Sequence, residues 1–238
     1  MPPAPSSNWL QRAIAGARKA VSLKAWRAVE AQHVVSTLRL TANDPARQDL
    51  LEHILEEHKP TPPPATLGLH YLLATPFRYP PLPGGSRFRA WTDPGVLYAA
   101  LARRTACAEM GYWRWRFVRE SEGLRGIAAA PQTLFQIGAR GEAIDVQQPP
   151  FEQRASVWTS PADYGATQSL GRQARAEALA LILYRSVRDP ESGTCAAVLD
   201  PAALHPKRPT AQETWYLTVT PGGALWQRER ERFAFDFA

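Results

Sequence analysis

Residues Gly84 to Phe117 read GGSRFRAWTDPGVLYAALARRTACAEMGYWRWRF. A Gly-Gly-Ser turn leads into two arginines, and the short run GVLYAA has the composition of a strand. The block RRTACAEMGYWRWRFVRE then predicts a helix, with Thr105 as a candidate cap. That helix raises a question of charge. Three and four positions from Glu109 stand Thr105, Ala106, Tyr112 and Trp113, where a solvent-facing helix would carry a lysine or arginine. A carboxylate buried without partners is costly, so Glu109 either pairs with an arginine distant in sequence or has a chemical task.

Outward from this stretch, the N-terminal side reads as helical. NWLQRAIAGARKAV places Leu10, Ile14, Ala17 and Val21 on one stripe, with Asn8 able to cap. The stripe serves packing on the chain's own domain or contact with a partner. DPARQDLLEHILEEHK predicts a second helix, capped by Asp44 and with Leu50, Leu51, Ile54 and Leu55 as its apolar face. It stops at PTPPP, Pro60 to Pro64, a stiff connector. The expected division is a helical extension and connector over 1–64 and a main domain over 65–238. Either helix would serve for self-association, so a homo-oligomer is left open.

On the C-terminal side, short strands mix with few helices. SRFR reads as a brief strand, and LFQIGARGEAIDV as a strand pair around a Gly138–Gly141 turn. TQSLGRQARAEAL reads as a helix, ALILYRSV and TCAAVLDP as strands, and TWYLTVTPGGALWQR as a hairpin. Without regular βαβ spacing the fold class is α+β, a mixed or antiparallel sheet with flanking helices.

Composition narrows the function. No apolar run is long enough to span a bilayer, and Cys107 and Cys195 are isolated, which fits a reduced, cytoplasmic setting. The net charge is +6, with most of the positive residues arginine, and the arginines alternate with acids, as in QRERERF. Nucleic acid is therefore not directly expected as a partner, whereas a phosphate-bearing small molecule suits the charge. His33, His53, His58, His70 and His205 have no metal-ligand spacing, and no metal is expected. GxSxG and P-loop patterns are absent.

Three further positions accompany Glu109. Arg87 follows a turn where backbone approaches a ligand closely, and its fork suits phosphate; it is equally a surface ion-pair residue. Tyr98 ends a strand before the Glu109 helix and reads as core or as a stacking ring. Ser186 closes a strand with Ile182 and Tyr184 on the same face.

Taken in order, these residues resemble the RES-domain family, bacterial toxins paired with Xre-type antitoxins. GGSRF looks like the family's Gly-rich turn and arginine, giving Arg87. GVLYAA gives Tyr98, TACAEMGYWR gives Glu109, and LYRSVRDPESGTCAAVLDP gives Ser186. The likeness runs from about His70 to Trp226, with WRAVEAQHVVSTLRL similar to the N-terminal part of one branch. RFRA stands where many members have Arg-Trp-Asn-like text, which leaves Arg89 as the alternative to Arg87. The resemblance implies an ADP-ribosyltransferase-like fold and an enzyme that cleaves the nicotinamide–ribose bond of NAD. The ribosyl fragment would pass to water, phosphate or protein. It also implies an Xre-type antitoxin as partner. In the implied site Glu109 stabilises the ribose cation, Arg87 grips the pyrophosphate, Tyr98 borders the nicotinamide, and Ser186 orients the ribose or amide. The rival from another class is a non-enzymatic RNA- or protein-binding module using the arginines as a phosphate-contact surface.

Overall fold

The computed structural model describes residues 5–31 and 44–237. Helix α1 (Ser7–Ala17) leads to strand β1 (Lys19–Glu30), and then come α2 (Pro45–Glu57), α3 (Tyr71–Arg78) and β2 (Leu97–Ala100). Helix α4 (Arg103–Glu120), the long β3 (Ile127–Asp145), α5 (Ala155–Trp158) and α6 (Gly165–Ala176) follow. The chain ends with β4 (Leu181–Arg185), β5 (Thr194–Val198), β6 (Ala211–Thr220), β7 (Gly223–Arg228) and β8 (Glu231–Asp236).

The strands form one sheet in the order β1-β2-β5-β4-β3-β6-β7-β8, antiparallel except between β3 and β4. Strand β3 also pairs with the whole length of β1, from Lys19↔Ala143 to Glu30↔Gln132. The sheet thus curls until β1 meets β2, and there the two share the single pair Trp26↔Ala100. This narrow seam matters for the site, because the two strands diverge on either side of it.

Both faces of the curl are covered. On one, α1, α4 and α6 pack over Trp215, Leu217, Trp226 and Ile182. On the other, Leu72, Leu73 and Phe77 of α3 meet Leu97, Phe135, Ile137 and Leu181. Removing Leu73 from water entirely contributes about 2 kcal/mol.

Three expectations need correction. The N-terminal region is helical only in part, because Lys19–Glu30 is a strand of the main sheet. Val21 alternates with Leu23 and Ala25, a period of two that overrides its place on the α1 stripe. The stripe itself packs internally: Leu10 and Ile14 are buried, and Trp9 stacks on Trp158 with centroids 6.4 Å apart. Ser6 rather than Asn8 caps α1, accepting from the Trp9 amide. The second correction concerns β3, which runs straight through Gly138 and Gly141. Those glycines admit neighbours, since a Cβ on Gly138 would lie 2.2 Å from the His205 carbonyl oxygen and one on Gly141 2.7 Å from Ala180 Cβ. The third is SRFR, a tight turn closed by the Ser86↔Arg89 bridge. In α2, Asp44 caps as expected, accepting from the amides of Ala46 and Arg47. Its Leu50, Ile54 and Leu55 face solvent.

Candidate active site

A cavity of about 290 Å³ opens beside the β1–β2 seam. Its walls come from Trp26, Arg27 and Ala28 of β1, the Gly85–Arg87 turn, Tyr98–Ala100 of β2 and one face of α4. Tyr184 of β4, Cys195 of β5, Tyr164 and Arg188 complete it. Of the four residues singled out in the sequence, Arg87, Tyr98 and Glu109 line this cavity, and Ser186 stands directly behind Glu109.

Glu109 reaches the cavity because α4 packs its opposite face closely on the sheet. A Cβ on Gly111 would lie 3.1 Å from Trp226 Nε1, so the helix sits low and its Ala106–Glu109–Met110 side borders the opening. The Ser186 hydroxyl donates to Glu109 Oε1 at 2.5 Å, and the Cys195 thiol lies 3.9 Å from the same oxygen. No ion pair is formed by Glu109 among the described residues. Burial raises its pKa, partly offset by the Ser186 hydrogen bond and by the charges of Arg87 and Arg188. Thus the carboxylate is fixed by a neutral donor and keeps its other oxygen for the cavity.

Ser186 is only 1 % exposed. Its oxygen also accepts from the amides of Arg188 and Asp189, at 3.2 and 3.0 Å. Asp189 accepts in turn from the Thr105 hydroxyl at 2.7 Å, one helical turn before Glu109. Thr105 is therefore a brace for the 186–193 loop rather than the cap of α4. The serine hydrogen-bonds the carboxylate and does not itself line the opening.

The Arg87 guanidinium donates to the Trp158 carbonyl at 2.9 Å and lies 5.0 Å from the centre of the Tyr164 ring. No carboxylate pairs with it among the described residues. Arg89 turns the other way, donating to the carbonyls of Asp93 and Tyr79, and does not line the cavity. The turn between them is held by Gln168, whose amide nitrogen donates to the carbonyls of Gly84 and Ser86. Tyr98 fastens the same turn from within: its hydroxyl accepts from the Phe88 amide at 2.9 Å and shares a 2.8 Å hydrogen bond with Ser86. Burial raises the Tyr98 pKa, keeping the phenol neutral.

Sequence reasoning missed Arg27, Tyr184 and Arg188. Arg27 bridges the seam by donating to the Tyr98 carbonyl at 2.7 Å, and burial lowers its pKa. Arg188 lies 3.7 Å from the centre of the Tyr112 ring and donates to the Pro161 carbonyl. The WR dipeptide and the SVRDP loop contain both arginines, yet nothing local distinguishes them from other arginines. Among the described residues no group of three or more His, Cys, Asp or Glu is placed to hold a metal ion, and His33 lies outside those residues. No helix among them is long and apolar enough to cross a membrane.

Comparison with known proteins adds a family. The model of the RES domain matches residues 62–219. No curated protein matches the chain. Among solved structures, the crystal structure of the M. tuberculosis MbcT–MbcA toxin–antitoxin complex contains a similar chain, with a TM-score of 0.52 and 12 % identity. The similarity covers 92 % of this chain and 95 % of that one. At that identity it shows a shared fold.

Proposed function

Because the chain belongs to the RES domain family, we propose that it is a RES-type toxin that degrades NAD by cleaving the nicotinamide–ribose bond, and that an Xre-type antitoxin neutralises it. The observation that carries this reading is Glu109: a carboxylate in a cavity, held by Ser186, with no ion pair among the described residues and two arginines nearby.

In the reaction the bond from ribose C1′ to the pyridinium nitrogen breaks, and its electron pair neutralises the departing nicotinamide. Positive charge develops on the ribose, as in glycoside cleavage. Glu109 stabilises that charge, more strongly in a partly apolar pocket than in water. C1′ then accepts an oxygen lone pair from water or inorganic phosphate, making the enzyme a glycohydrolase or a phosphorylase; a protein acceptor would make it an ADP-ribosyltransferase. Arg87 holds the pyrophosphate, Tyr98 borders the nicotinamide, and Ser186 sets the oxygen position and acidity of Glu109. The antitoxin of the neighbouring fold relative supports an antitoxin partner here.

The direct test is release of nicotinamide from NAD by the purified protein, with products identified in phosphate and phosphate-free buffer. No release in either buffer, together with no labelling of a protein target, sinks the reading. Steep salt dependence of RNA binding with inert NAD would instead favour the binding module.

Three variants separate the assigned roles. Arg87→Ala raises KM for NAD about 50-fold, the loss of a charged hydrogen-bonding partner. Arg89→Ala leaves KM within about two-fold, since the hydrogen bonds it removes go to the Asp93 and Tyr79 carbonyls outside the cavity. Steady-state kinetics on both decides which arginine binds phosphate. Ser186→Ala lowers kcat by about 10- to 100-fold. It also moves the acidic limb of the pH profile upward, because the hydrogen bond that depresses the Glu109 pKa is gone and the active carboxylate forms only at higher pH. A limb that stays in place shows that Ser186 does not tune Glu109.

A further inference from the structure

Helix α4 lines the cavity with Ala106, Glu109, Met110 and Trp113, a single stripe at i, i+3, i+4 and i+7. Exposure rises along it, from 5 % at Ala106 to 46 % at Trp113. The stripe therefore runs from floor to mouth, and Trp113 stands at the rim one turn beyond the carboxylate, about 6 Å along the axis. A tryptophan left half wet at a cavity mouth forfeits burial that most tryptophans obtain.

Its ring is nevertheless held in place. Tyr112 meets it edge-on with centroids 5.5 Å apart. The guanidinium carbons of Arg116 and Arg188 lie 5.5 and 5.9 Å from its centre. Arg116 is ion-paired with Glu120, which leaves Arg188 as the cation at the mouth, and a half-exposed indole beside it suits a flat heterocycle that carries phosphate. The enclosed volume of about 290 Å³ is also at the lower end for small-molecule sites. With the nicotinamide ribose at Glu109, the rest of a dinucleotide must leave through the mouth, past Arg188 and Trp113.

We infer that Trp113 stacks on the adenine of the dinucleotide and makes the site prefer NAD to nicotinamide mononucleotide. This rests on the NAD reading above. The test compares the parent with Trp113→Ala and Trp113→Phe. It measures kcat/KM for NAD and for nicotinamide mononucleotide, and titrates ADP-ribose by calorimetry. Trp113→Ala lowers kcat/KM for NAD about ten-fold, reduces the preference for NAD over the mononucleotide by a similar factor, and weakens ADP-ribose binding about ten-fold. Trp113→Phe recovers most of each, because a ring returns to the rim. An unchanged preference with unchanged ADP-ribose affinity overturns the inference. If the parent cleaves neither nucleotide, the NAD reading fails while the titration still decides on Trp113. Weaker ADP-ribose binding by Trp113→Ala then upholds the purine contact, and equal binding, or none by the parent, overturns it.

Discussion

Glu109→Gln inactivates the protein and stabilises it at the same time. The substitution keeps the shape of the side chain and removes the charge that meets the ribose cation in the proposed reaction, so the expected kcat for NAD cleavage is about 1,000-fold lower. Growth arrest on expression disappears with it. Stability moves the opposite way for a reason written in the pKa. Burial raises the folded-state pKa of Glu109 above its ordinary value, so ionisation is harder in the folded than in the unfolded chain. The stability this group contributes is present below the ordinary pKa and is lost as pH rises through the raised one. Glutamine has no proton to lose. The variant therefore melts about 2 °C above the parent at pH 8, and the two converge near pH 4. Thermal melts across that range check the sign. A variant that is inactive and also less stable at pH 8 would indicate that Glu109 is a structural carboxylate.

Gly85→Ala tests the turn that aims Arg87. Gly85 has φ of +77°, and a Cβ there would stand 2.2 Å from the Arg89 carbonyl oxygen and 2.9 Å from Gln168 Nε2. The first neighbour is backbone, so the Ser86↔Arg89 bridge must open. We expect a loss of about 3 kcal/mol, near 9 °C in Tm, from strain and the broken turn together. KM for NAD rises at least as far as in Arg87→Ala, since the guanidinium loses its direction. Gly84→Ala is the control. Its φ of +91° is also left-handed, but nothing lies within 4 Å of its added Cβ, so it costs only the strain of about 1 kcal/mol. Equal losses in the two variants would show that the close approach at Gly85 is not what holds the turn.

What was legible in the sequence follows the range of the forces involved. The strand–helix succession from Leu97 to Glu120 is local, set by β-prone and helix-prone runs. The hairpin at Pro221–Gly222 is marked by its own turn residues. Glu109 stood out because a missing counter-charge on a helix is visible from four positions either side. Strand β1 was hidden, because its long partner β3 lies more than a hundred residues away and Gly16, inside the last turn of α1, reads as a tolerated helix glycine rather than a stop. Gly138 and Gly141 look like turn residues and serve as clearances, a distinction that only the neighbouring His205 and Ala180 reveal. Arg27, Tyr184 and Arg188 become site residues only when β1, β4 and the 186–193 loop are brought around one opening. The choice between Arg87 and Arg89, open in the text RFRA, is a matter of which side of one tight turn each side chain leaves.

The seam between β1 and β2 has a consequence for synthesis. The cavity wall begins at Trp26 and is not complete until Cys195, while β1 shares only one pair with β2 and waits for β3 to be paired along its length. A ribosome makes the chain from the N-terminus onward, and contacts of such separation form only once both members have emerged. A nascent chain halted between the Glu109 helix and β5 therefore has the arginine turn and that helix, but no complete chamber around them. Whatever chemistry the chamber performs, it is available only once β5 has been made.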